Sequence, residues 1–266
     1  MRQAQDFKDE SAALYNLVSD LSDDDFDTPT AFKTWTFNHI LAHLHVFNEA
    51  VCITLDDGDE FKAWYKNFAK DTLATNQRDA EKRAAGGLSG RALCEAWRAG
   101  AENTADRFAQ LDPKLRLPWV GPSMSARSSI TARQMETWAH GQAIFDEMGV
   151  VREDTDRLKN IAVLGVNTYG WTYQVRGLEA PQPTPFVWLT APSGDIWDFG
   201  EPGDDKVAGS GVEFCQVVTQ TRNIADTRLE TTGPNSKAWM EIAQCFAGGE
   251  EPPPTPGHRK LRAPSA

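Results

Sequence analysis

The sequence predicts an α-helical bundle of four to five helices followed by a smaller α+β domain. Three observations carry that prediction. Residues 1 to about 178 hold apolar residues at helical spacing, in runs separated by Gly, Pro or Asp breaks. Residues 180–185 read APQPTP, an extended proline-rich linker. Beyond it, short β-branched and aromatic runs alternate with Gly, Pro and Asp turns. The expected organisation is therefore 1–178 for the bundle, 179–248 for the α+β unit and 249–266 for a disordered tail that lacks apolar periodicity.

The first helix is read from DESAALYNLVSDL, where Ala12, Leu14, Leu17, Val18 and Leu21 share a face. Thr36 is the expected N-cap of a second helix from Phe37 to about Leu55, broken by Asp56, Asp57 and Gly58. Residues 60–88 are charged and mixed, helical in part, ending at Gly86 and Gly87. Ser89 caps a long helix that reaches Leu111, before Pro113. LPWVGPSMSARSS reads as a loop, and Ser128 or Ser129 as the cap of a helix ended by Gly149. A further helix is expected from about Asp154 to Arg176. FVWLTAP, DIWDFG, VEFCQVVTQ and TRLETTG read as strands, and SKAWMEIAQCFAG as a closing amphipathic helix.

Composition narrows the function classes. Hydrophobic residues make up 40% of the 266, enough for a sizeable core, and nine tryptophans point to aromatic-rich packing or an aromatic-lined cavity. A formal charge of -11, with no basic stripe, argues against a nucleic-acid partner. Cys52, Cys94, Cys215 and Cys245 form no CxxC pair and read as buried, reduced thiols. The N-terminus is too charged for a signal peptide, and no apolar run reaches the ~18 residues of a membrane span. A cytoplasmic protein without a membrane partner is expected. GSG at 209–211 has the spacing of neither nucleotide loop, no GxSxG is present, and Asp56, Asp57, Asp59 and Glu60 read as a solvated turn.

Two distant apolar segments carry metal-ligand chemistry. In ARQMETWAHGQAIF, Glu136 and His140 are four residues apart, so on a helix they lie about 40° apart around the axis and can converge on one ion. Ile130, Met135, Trp138, Ala139 and Ile144 make that helix mostly buried, where a glutamate is costly unless paired, with Arg133 for example, or bound to metal. ILAHLHVFNEA offers His39, His43 and His45 as the third ligand. His39 and His43 share a face, whereas His45 points about 160° away from His43. His43, between Leu41, Leu44 and Phe47, suits the buried side best; His39 reads as an outer group or exposed, and His258 lies in the tail.

WTFNHILAHLHVFNEA resembles the second-helix motif of the DinB/YfiT-like metal-binding bundles, and more closely the N-terminal domain of the mycothiol-dependent maleylpyruvate isomerase family. ARQMETWAHGQAIFDEMG is similar to that family's later helix, and WVGPSMS resembles uncharacterised members of the group. The likeness covers roughly residues 8–178 and is weaker beyond. It implies His43, Glu136 and His140 as the metal ligands of a DinB-like bundle. It also implies a low-molecular-weight thiol cosubstrate whose thiolate adds to a small electrophilic acid. Two histidines and a carboxylate leave positions open on the ion and suit zinc, with nickel, iron or manganese also accommodated.

The same resemblance puts Arg222 about where a substrate-binding arginine stands, able to hold a carboxylate with its fork. Arg176 and Arg228 have less support, and Trp35, Trp138 and Trp171 read as core rather than pocket lining. The leading reading is a metal-dependent, thiol-dependent transferase or isomerase acting on a small-molecule substrate. The alternatives are a non-catalytic metal- or ligand-binding protein and a metal-dependent hydrolase. The assembly is left open, with a homodimer among the options.

Overall fold

Ala4, Phe7, Ser11, Leu14 and Val18 step by three and four residues along one buried stripe of α1 (Arg2–Val18). This helix starts earlier than expected, and Ala12, expected on the inner face, is exposed. At Thr36, the start of α2 (Phe37–Asp56), a reciprocal cap forms. The Thr36 side chain accepts the His39 N–H, and His39 Nδ1 accepts the Thr36 N–H at 3.0 Å. Two helix-end donors are thereby satisfied. The charged stretch resolves into α3 (Gly58–Ala74) and α4 (Gln77–Ala84), capped by the side chains of Asp57 and Asn76. At the start of α5 (Gly90–Ala109), Ser89 makes no side-chain cap. Asn38 Oδ1 accepts the Gly90 N–H at 2.7 Å and Asp23 Oδ1 the Arg91 N–H at 2.8 Å, so distant residues cap the helix.

Residues 117–129, expected as a loop, instead contain a hairpin of β1 (Arg116–Trp119) and β2 (Gly121–Ser125), turned at Gly121 with φ +112°. The hairpin forms because Leu117 has a place in the core beside Phe7, Val51, Phe108 and Ile130. Helix α6 (Ala126–Met148) follows at once, and Ser125 Oγ accepts the Ser128 N–H at 3.1 Å. Ser125, rather than Ser128 or Ser129, is therefore its cap. Ile130, Met135 and Trp138 are buried, as expected of a central helix. α2 packs against α5, α5 against α1, and α4 against α2.

The computed structural model describes residues 1–263. They divide into two units at 144/145, within α6, rather than at the expected 178/179. The residues read as one helix over 154–176 form α7 (Lys159–Asn167) and α8 (Tyr169–Gln174), parted at Thr168. They join the second unit through close packing, since a Cβ at Gly165 would lie 2.8 Å from the Val218 side chain.

That unit's sheet comprises β3 (Phe186–Thr190), β4 (Ile196–Phe199), β5 (Lys206–Ser210) and β6 (Glu230–Thr232) in the order β4-β3-β5-β6. β3 and β5 pair parallel; the other pairs are antiparallel. VEFCQVVTQ, expected as a strand, is helix α9 (Gly211–Val218). Its buried residues, Phe214, Cys215, Val217 and Val218, come in adjacent pairs three apart, a helical pattern that outweighs the β-branched composition. Helix α10 (Pro234–Ile242) is shorter than expected, and the Asp205 carboxylate accepts the N–H groups of Asn235 and Ser236 at its start.

The tail corrects the expectation of disorder as far as residue 263. Arg259 is buried and donates to the Gln220 carbonyl at 2.7 Å, while the Glu251 carbonyl accepts from Arg176 and Gln220. Arginine side chains and backbone carbonyls replace apolar side chains as the anchors, which leaves no periodicity to read. Pro264, Ser265 and Ala266 lie outside the described residues. All four cysteines are buried, with no disulfide. Among the described residues no helix is long and apolar enough to cross a membrane.

Candidate metal centre

The helical step of four residues does on α6 what it requires: Glu136 Oε2 lies 3.1 Å from His140 Nε2. Across the bundle, α2 brings His43 Nε2 to 3.3 Å from the same oxygen. Ligand atoms of the three residues all lie within 4.8 Å of one another. Around a tetrahedral ion with bonds of about 2.0–2.1 Å, neighbouring donors stand roughly 3.3–3.4 Å apart, which the two Glu136–histidine separations approach. All three side chains are largely buried, at 10%, 18% and 15% exposure for His43, Glu136 and His140.

The fourth group, Glu81 of α4, was not anticipated from the sequence. It is fully buried, and its Oε1 lies 2.7 Å from His43 Nδ1 while accepting from Gln77 Nε2 at 2.9 Å. With Nδ1 held by this carboxylate, His43 turns Nε2 toward Glu136. A carboxylate behind a ligand histidine fixes the ring and its tautomer and raises its basicity. The one available signal was a glutamate next to Ala80 on the inward face of a short charged helix. Glu81→Gln should weaken zinc binding about 10- to 100-fold, measured by competition with a chromophoric chelator; unchanged affinity would remove Glu81 from the centre.

Burial opposes charge on His43, but the Glu81 charge and the hydrogen bonds to Glu136 and Glu81 outweigh it and push its pKa up to about 9. Burial alone would raise the Glu136 carboxyl. The bonds to His140 and His43, with the Arg133 charge, outweigh that and hold it well below the usual carboxylate range. Aromatic rings wall the cluster. Trp35 stacks on His140 with centroids 5.7 Å apart and planes at 6°, and Phe32 meets the same ring edge-on at 5.1 Å. Phe47 lies against His43 at 4.9 Å. Trp35 thus lines the site, whereas Trp138 is core, as expected, and Trp171 of the second unit binds the Phe246 carbonyl.

His39 is committed to the helix cap through Nδ1, which corrects its reading as an outer or exposed group. His45 lies toward Gly100 of α5, away from His43 as the angular step requires. His258 is exposed in the second unit. Arg222 forms a two-pronged pair with Asp146, at 2.6 and 2.7 Å, at 12% and 6% side-chain exposure. A substrate carboxylate would have to displace Asp146 from that fork, so the geometry does not favour the role expected for Arg222.

Residues 7–145 match the family described as mycothiol maleylpyruvate isomerase N-terminal domain. Two uncharacterized proteins from two strains of Mycobacterium tuberculosis are each 36% identical over 245 residues, covering 91% of this chain and 94% of theirs. Among solved structures, a mycothiol-dependent maleylpyruvate isomerase shares the fold with a TM-score of 0.51 at 15% identity, over 81% of this chain and 87% of that one. A mutant of that enzyme matches equally.

Proposed function

The chain belongs to the mycothiol maleylpyruvate isomerase N-terminal domain family, and on that premise we propose that it is a metal-dependent enzyme using a low-molecular-weight thiol on a small electrophilic acid, as an isomerase or transferase. The observation that carries this reading is the convergence of His43, Glu136 and His140 on one point, backed by Glu81. The thiol is suggested by the names of the family and of the enzyme whose structure shares the fold.

His43, Glu136 and His140 would hold the ion, and zinc suits two imidazoles and a carboxylate. When bound, such an ion supplies Lewis acidity that lowers the pKa of a thiol or water at its open positions. The protein's own part is positional. Glu81 holds His43 Nδ1, the α6 backbone fixes the Glu136–His140 step, and Trp35 and Phe32 pack against His140. The low dielectric of this wall strengthens each charge interaction inside it.

Protein purified without chelators should carry stoichiometric divalent metal, and should consume thiol when given electrophilic unsaturated acids. His43→Ala should lose both properties. Bound metal without turnover across a panel of thiols and electrophiles would favour a binding protein instead. Hydrolysed products with no thiol requirement would favour a hydrolase.

A further inference from the structure

One turn before Glu136 on α6 stands a cation that the three ligands do not account for. The Arg133 side chain is 5% exposed, and its Nη2 is 4.0 Å from Glu136 Oε1, beyond hydrogen-bond range. Its guanidinium lies over the rings of Phe47 and Trp119, at 5.7 and 5.5 Å from their centroids. Nη1 is buried without a hydrogen-bond partner. A buried guanidinium that meets two ring faces and one distant carboxylate is under-satisfied, because each unmet donor costs free energy. The charges of the loaded centre point the same way. A divalent ion and Arg133 together outweigh Glu81 and Glu136 by one positive charge, which a bound anion would neutralise.

We propose that Arg133 is the residue that holds a carboxylate beside the metal, in the role expected from the sequence for Arg222. This rests on the metal-dependent reading above. The orphaned Nη1 is a donor for one carboxylate oxygen, and Nη2, only 4.0 Å from Glu136, places that anion next to whatever occupies the open positions of the ion. The Phe47 ring, in contact with both Arg133 and His43, keeps the region apolar and makes the pair selective for an acid over its neutral ester.

The test is calorimetric titration of the zinc-loaded full chain with maleate, which carries acid and no thiol. N-acetylcysteine, which carries both, and dimethyl maleate, which carries neither, form the other arms. Maleate should bind, and Arg133→Gln should weaken it about 10- to 100-fold with zinc content unchanged, while Arg133→Lys should fall between. Weakening seen only with N-acetylcysteine would assign the bound carboxylate to the thiol cosubstrate rather than to the electrophile. Affinity for both acids unchanged in Arg133→Gln, equal binding of the diester, or no acid binding to the wild type would overturn the proposal. If Arg133→Gln fails to fold, Arg133→Lys decides, because it keeps charge and loses the fork. Maleate titration of chelator-treated protein separates the two readings: Arg133-dependent binding without metal would keep this proposal and leave the metal reading to fail alone.

Discussion

Glu136→Gln will bind zinc at least about 100-fold more weakly than the wild type. Loss of a group behind a ligand already costs about 10- to 100-fold, and Glu136 would contribute a donor and the only charge among the three proposed ligands. Chelator competition followed by elemental analysis measures the effect, with circular dichroism to check the fold. Glutamine is the informative substitution because it keeps the shape. Both substitutions remove the carboxylate charge near His43 and Arg133, but Glu136→Ala would also remove the hydrogen-bonding oxygen and leave a cavity. Zinc retained at wild-type affinity in Glu136→Gln would sink the assignment of the centre.

The metal-free protein will lose stability as pH rises from about 6.5 through 9. His43 has its folded pKa raised to about 9 from an ordinary 6.5. Its protonated form, held between Glu81 and Glu136, therefore contributes stability that is fully present below 6.5 and is lost as pH passes 9. The contribution is on the order of 3 kcal/mol. Urea denaturation across that range measures it, and Glu81→Gln should flatten the dependence by removing the strongest attraction for the proton. A profile that stays flat from 6.5 to 9.5 in the metal-free wild type would refute the coupling. The same proton opposes the metal, so zinc affinity should rise over this interval, with proton release on binding.

How much of this was legible in the sequence depended on the range of each interaction. The Glu136–His140 pair, the Thr36 cap and the inward face of His43 are consequences of helical geometry acting over three or four residues, and each can be read from spacing. The hairpin over 116–125 and helix α9 were misread because their cause is a core position, for Leu117 in one case and for Phe214 and Val218 in the other. Local composition gives no sign of where such a position will be. The tail was misread for a related reason: it is held by arginine side chains and backbone carbonyls, which leave no apolar rhythm.

Sequence alone thus determined the two helices that carry the centre and the three side chains that could meet there, because residues within a turn of each other share a face whatever the rest of the chain does. Tertiary structure decided that they do meet, that Glu81 stands behind His43, that Arg133 is left with an unmet donor, and that the Arg222 fork is already taken by Asp146. Those pairings join residues 38, 93 and 76 positions apart, and only tertiary packing sets such distances.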